Sequence, residues 1–273
     1  MISRANPGQP IAFQTASALT QDLKDLHTYG LVFDTKWVTV HDTDVDGFAA
    51  FNANALAKTR LATPFKRPEN GVFRPGSGFR EFFFTETGDT STTSTANAEH
   101  GGFGSIMQLT QRGGPSSARG QLTMFFKSDL EHNSFDNIAF WGEHRVSVVE
   151  DRGDGLHAQA NALDSGWILD TRKDYSNPSN RPVRFLAEGR DPSATVDAGL
   201  AGTAGFQNEG DNEITGIHVS DGDASVHGVL GAKKPQPFRD GWRVFFTQQH
   251  GDNTLWEIVP SDDDGRDHDR DDD

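Results

Sequence analysis

Apolar positions along this chain come in short runs separated by polar, Gly- and Pro-rich segments, and three stretches repeat one order of signals. Glu69-Asn70 precedes an apolar run that closes on Glu86-Thr87-Gly88-Asp89. Asp136-Asn137 precedes a run that closes on Glu150-Asp151-Arg152-Gly153-Asp154. Asn212-Glu213 precedes a run that closes on Gln248-Gln249-His250-Gly251-Asp252. Each unit reads as an acid/Asn pair, a short strand, a turn, a second strand rich in Phe or Val, and then Gly-Asp. The first unit predicts strands over 71–73, 80–85, 105–110 and 121–126, with a long polar loop over 91–104. The second predicts strands over 138–140, 146–149, 167–170 and 183–186, followed by an Ala/Gly/Asp-rich inserted loop at 190–211. The third predicts strands over 214–219, 242–247 and 254–259, with a Pro-broken loop at 233–239 and no fourth strand. Upstream, 17–27 reads as a short helix capped by Ser17 or Thr20, and 31–33 and 37–40 as strands. Phe48, Phe51, Ala55 and Ala62 stand near helical spacing and predict a helix over 47–61.

Repetition of a strand-turn-strand unit is the sequence signature of a propeller, in which each blade packs on its neighbours and the inner strands converge on a channel. The fold class expected is therefore all-β and β-propeller-like, with three recognisable blades plus an N-terminal part-blade. The expected division is an N-terminal segment (1–60), the blades (61–260) and an acidic tail (261–273). Three blades fall short of the four to eight of a closed propeller, so an incomplete propeller, a longer native chain or an oligomer is expected.

Composition agrees with an all-β chain: 20 Phe, 29 Gly and 12 Pro against 3 Met and 2 Tyr in 273 residues. Net charge is −15, from 40 acidic and 25 basic residues, which disfavours nucleic acid and anionic membranes and favours cations. There is no Cys, so disulfides, thiolate ligands and a thiol nucleophile are excluded. No apolar run is long enough to cross a membrane, and the N-terminal residues lack the apolar core of a signal peptide. The 261–273 tail carries eight Asp and no apolar residue, and is expected to stay disordered, as a solubilising or metal-buffering tail.

A carboxylate or Asn at the same point of successive blades would face one common axis. Glu69, Asp136, Asn137 and Glu213 offer hard oxygen ligands suited to calcium. The alternative for each is a local turn hydrogen bond at a strand start. Arg67 and Glu69 lie two residues apart, on one face of a strand. An Arg beside a metal-bound carboxylate is suited to clamping a phosphoryl group, whereas the other reading is a structural ion pair. Asp42-Thr43-Asp44-Val45-Asp46-Gly47 fits the opening of an EF-hand loop, but its twelfth position is Ala53 in place of Glu. It reads either as a different calcium loop or as a helix-entry turn. His41, His218 and His250 stand near the acidic landmarks; surface or turn roles are expected, with His250 the exception to watch. There is no GxSxG, HExxH or phosphate-binding loop.

At these residues the chain resembles the C-terminal half of the PhoX-type alkaline phosphatase family. Arg67-Pro68-Glu69-Asn70 is similar to that family's R-P-E-D segment, and Phe135-Asp136-Asn137-Ile138-Ala139-Phe140 to its P-D-N-L-A-F segment. Glu213-Ile214-Thr215-Gly216, with Phe245-Phe246-Thr247-Gln248-Gln249-His250-Gly251, resembles E-V-T-G leading to V-Q-H-P-G. The likeness covers about residues 60–259. It implies a β-propeller whose channel holds calcium and iron and hydrolyses small phosphoesters, in the periplasm or outside the cell. Arg67 would contact phosphate, and Glu69, Asn137 and Glu213 would lie near or on the metals. The family's N-terminal half has no counterpart here, and its iron centre uses a Cys that this chain lacks. A non-catalytic calcium-binding module and a calcium-dependent propeller lactonase are the alternatives.

Overall fold

A computed structural model describes residues 2–6, 9–11, 22–89, 94–114, 117–187, 213–249 and 253–260. The strands are β1 (Ile2–Asn6), β2 (Gln9–Ile11), β3 (Val32–Lys36), β4 (Pro68–Phe73), β5 (Glu81–Glu86), β6 (Ser105–Gln111), β7 (Arg119–Lys127), β8 (Phe135–Phe140), β9 (Arg145–Glu150), β10 (Ser165–Asp170), β11 (Val183–Ala187), β12 (Glu213–Ser220), β13 (Arg243–Gln249) and β14 (Leu255–Ile258). They form three antiparallel sheets, in the orders β2-β1-β3-β7-β6-β5-β4, β11-β10-β9-β8 and β12-β13-β14. The chain is all-β in class, with short helices at the connections.

From β4 onward each sheet is an up-and-down meander whose first strand is a sheet edge. Those edges, β4, β8 and β12, lie together, with β8 in contact with both others. Alternation along β8 explains its middle place. Ile138 and Phe140 face the first sheet, in a core with Phe83, Ile106, Phe126, Val146, Val148 and Trp167. Ala139 faces the third sheet, in a core with Val149, Ile214, Ile217, Val219 and Val244. A third core lies on the other face of the first sheet, where Phe33, Met107, Leu109, Leu122 and Met124 are covered by Leu26. Met124 and Phe126 have the same parity yet serve opposite cores. A register irregularity between Ile106 and Met107 turns the strand over between them.

Several expectations need correction. The N-terminal strands are no separate part-blade: β3 pairs with β7 and β1 with β3, so they extend the first sheet. The segment 37–40 is not a strand. The helix expected over 47–61 is shorter, α2 (Ala53–Thr59), and is preceded by a separate single turn, α1 (Thr43–Asp46). Gly47, at φ 76°, ends α1, and the Asn52 side chain caps Ala55 N to start α2. Phe48 and Phe51 between them stay exposed. Three helices were not foreseen: α3 (Thr95–Glu99), started by the Ser94 cap within the expected loop, α4 (Asp154–Ala160), and α5 (Val226–Val229), started by the Ser225 cap. The inserted loop at 190–211 and the tail at 261–273 lie outside the described residues.

A candidate cation site where three edge strands begin

Each edge strand starts with a bulge. On β4 the pairing skips from Pro68↔Glu86 to Gly71↔Phe84, on β8 from Phe135↔Glu150 to Ile138↔Val148, and on β12 from Ile214↔Gln248 to Gly216↔Thr247. A bulge sets two residues against one, takes the extra residue out of the ladder and re-aims its side chain. The acid/Asn pairs Glu69-Asn70 and Asp136-Asn137 occupy the first two bulges. The third holds Thr215, with Glu213 two residues earlier.

The structure brings two of the expected carboxylates, Asp136 and Glu213, to one place and adds Asp151. Asp136, Asp151 and Glu213 each offer an oxygen such that the three atoms lie within 4.8 Å of one another; all three residues are partly buried. One calcium with ligands at roughly 2.3–2.6 Å needs its donors within about two bond lengths of each other, so this donor set fits a hard cation. One oxygen of each carboxylate takes a side-chain donor. Asn137 Nδ2 donates to Asp136 Oδ2 at 2.7 Å, Gln249 Nε2 to Glu213 Oε2 at 2.6 Å, and Arg67 Nη2 to Asp151 Oδ2 at 3.5 Å. Arg67 also reaches Glu69, Nε to Oε1, at 3.7 Å. Glu69 stays on the exposed rim and is no member of the close triad. Burial, then the negative charges of Asp151 and Glu69, push the Asp136 carboxyl up to about 7. Asn137 lies within the site, but its carboxamide is occupied by hydrogen bonds to Asn70, Asp136 and Thr215.

Sequence reasoning passed over Asp151 and Gln249. Both belong to the closing segments Glu150-Asp151 and Gln248-Gln249, which the repeat had marked without assigning a ligand. Antiparallel pairing returns the end of the second strand to the start of the first, so the two landmarks of each unit meet in space: Pro68↔Glu86, Phe135↔Glu150 and Glu213↔Gln249.

A cleft of about 210 Å³ continues from Asn70 along the three edge strands, past Val72, Phe140, Ile217 and Val229. A larger hollow, at Asp34, Lys36, Arg112 and Arg119, lies on the first sheet where β3 meets β7 and the β6–β7 connection, away from these three edge strands. In the Asp42–Gly47 loop, Asp42 caps α1 by accepting from Asp44 N, and Asp46 Oδ2 accepts from Asp42 N. These carboxylates serve the helix-entry turn. His41 stacks on Phe51, His218 is exposed, and His250 lies outside the described residues. No family model, no curated protein and no solved structure matches the chain.

Proposed function

We propose that this chain is a metal-dependent phosphoester hydrolase of the PhoX type, with calcium held by Asp136, Asp151 and Glu213. The observation that carries the reading is the position of Arg67: a guanidinium 3.5 Å from Asp151 on the rim of a three-carboxylate cluster. A carboxylate cluster alone repels a phosphoester, whereas a cation among the acids with a planar fork beside it favours one. A bound divalent ion would supply charge neutralisation for the phosphoryl oxygens and a water of lowered pKa. Arg67 would take two of the phosphoryl oxygens. Asn137, Gln249 and Arg67 hold the carboxylates in place, and Glu69, on the rim, sets the entrance charge. The three meanders with neighbouring edge strands support the finer reading of the fold as blades around a channel. Iron is the second metal that the family resemblance brings, and its expected Cys ligand is absent from the sequence. By the same resemblance we place the activity in the periplasm or outside the cell.

The test is hydrolysis of p-nitrophenyl phosphate with calcium, with iron and with both. Turnover no higher than that of Arg67→Ala would sink the reading. The occupied carboxamide of Asn137 and the Gln249–Glu213 bond also suit a calcium-binding module without turnover. Bound calcium without hydrolysis of phosphoesters or lactones would select that alternative, and lactone hydrolysis alone would select a lactonase.

A further inference from the structure

We propose that Asn137 is a positioning residue of the cation site and not one of its ligands. The inference rests on the reading of Asp136, Asp151 and Glu213 as the ligands, and it reverses the role that the family resemblance gives Asn137. Its carboxamide touches all three edge strands. On β8, Nδ2 donates to Asp136 Oδ2 at 2.7 Å; on β12, the same nitrogen donates to Thr215 O at 2.7 Å; from β4, Asn70 Nδ2 donates to Oδ1 at 3.0 Å. Both amide hydrogens are thereby used. The orientation is fixed by chemistry, because a flipped amide would set its oxygen against a carboxylate oxygen and a carbonyl oxygen.

The bulges explain why such a strap is needed. Thr215 is the extra residue of the β12 bulge and has no cross-strand partner in the ladder. A backbone carbonyl left out of a ladder needs another donor, and Asn137 supplies it. The neighbouring bulges are satisfied in the same way by Thr85, whose Oγ1 donates to Asp136 O at 2.6 Å and accepts from Asn70 N at 3.3 Å. Asn137 and Thr85 thus join the irregular starts of three sheets, and the Asp136 carboxylate takes its direction from that junction.

The experiment is calorimetric titration of calcium chloride into the full chain and its variants. Asn137→Asp separates the two roles, since calcium prefers a carboxylate to an amide. A ligand would keep or tighten calcium on this change. A strap would fail, because the new carboxylate would face Asp136 Oδ2 and Thr215 O. We expect calcium affinity to fall tenfold or more in Asn137→Asp, and at least threefold in Asn70→Ala, which removes only the β4 end of the strap. Retained or tighter binding in Asn137→Asp, or unchanged binding in Asn70→Ala, would overturn the proposal. Should the unsubstituted chain take up no calcium, the cation reading fails, and urea unfolding of the metal-free chain still decides the strap. There Asn70→Ala and Asn137→Ala should couple, the double variant departing fivefold or more from additivity in the unfolding constant. Strict additivity would refute it.

Discussion

Arg67 and Ser134 hold the same place in the first and second sheets, each in a left-handed conformation, at φ 53° and 55°. The bonds around them match. Thr87 N donates to Arg67 O at 2.9 Å, and Asp151 N to Ser134 O at 2.8 Å. The residue before each donates its amide to a fully buried glutamate: Lys66 N to Glu86 Oε1 at 2.6 Å, and Asn133 N to Glu150 Oε1 at 3.2 Å. The left-handed turn is therefore a shared device that delivers Glu69 and Asp136, two residues on, into their bulges. Non-glycine residues take this conformation at a cost of roughly 1–2 kcal/mol.

Ser134→Gly should accordingly be neutral or stabilising by up to about 1 kcal/mol. Ser134→Val, β-branched at positive φ, should lose about 1–3 kcal/mol. Urea unfolding measures both. A Val variant as stable as the Gly variant would show that the turn is not strained.

Glu150 and Asp164 are fully buried beside buried Arg152 and His157. Arg152 Nη2 donates to Glu150 Oε1 at 2.7 Å and to Glu131 O at 2.6 Å, while its backbone N donates to Asp164 Oδ1. Removing one partner of such a group strands the other charge in the interior, a loss of about 3–5 kcal/mol. Arg152→Ala should show a loss of that size in urea unfolding. A loss below about 1 kcal/mol, the scale of an exposed pair, would contradict the network.

The sequence carried the strands well, because alternating and Phe/Val-rich runs such as Glu81–Glu86 and Arg119–Lys127 meet a sheet on one or both faces. It failed where a single residue changed the outcome. The helix expected over 47–61 starts only at Ala53, because Gly47 ends the turn before it and the Asn52 side chain, by capping Ala55 N, sets the new start. Asp136 and Glu213 stood out because the acid/Asn pairs repeat in order, whereas Glu69, marked by the same pattern, lies on the exposed rim outside the close group. Asp151 was hidden, since its approach to Asp136 depends on a strand pairing that brings residue 150 opposite 135. The role of Asn137 was hidden too: an amide reads alike in sequence whether its oxygen or its nitrogen faces the site.

The Asp136 carboxyl fixes the direction of the pH dependence. Its folded-state pKa of about 7 lies above the unfolded value of about 3.9. Between these values the folded chain holds a proton that the unfolded chain has released, so the metal-free chain should lose stability as pH rises from about 4 to about 7 and level off above. Glu150, pushed by burial to about 7, adds to the same slope. Asp136→Asn should flatten the slope in part and raise stability at pH 8 in chelator. Urea midpoints at several pH values give the answer, and an unchanged slope would mean that Asp136 ionises as an ordinary carboxylate.

Calcium should reverse the repulsion that this cluster stores. With three carboxylate oxygens within 4.8 Å, the metal-free fold carries like charges that a cation would neutralise. A ligand that binds only the folded state stabilises it by about 2.7 kcal/mol at a hundredfold excess over its Kd. Millimolar calcium should therefore raise the melting temperature of the unsubstituted chain, and magnesium should do so less, because it tolerates irregular geometry poorly. Asp151→Asn and Glu213→Gln should each raise the melting temperature in chelator, by relieving repulsion, and abolish most of the calcium-induced rise. Arg67→Ala should act differently. It removes a cation from the rim, so it should lower metal-free stability slightly and leave calcium binding intact or tighter, while phosphoester turnover falls about 10²–10³-fold. The opposite signs in the two groups of variants distinguish a cation site with a phosphate clamp from a set of structural ion pairs. In a purely structural cluster, every one of these substitutions would lower stability and calcium would change none of them.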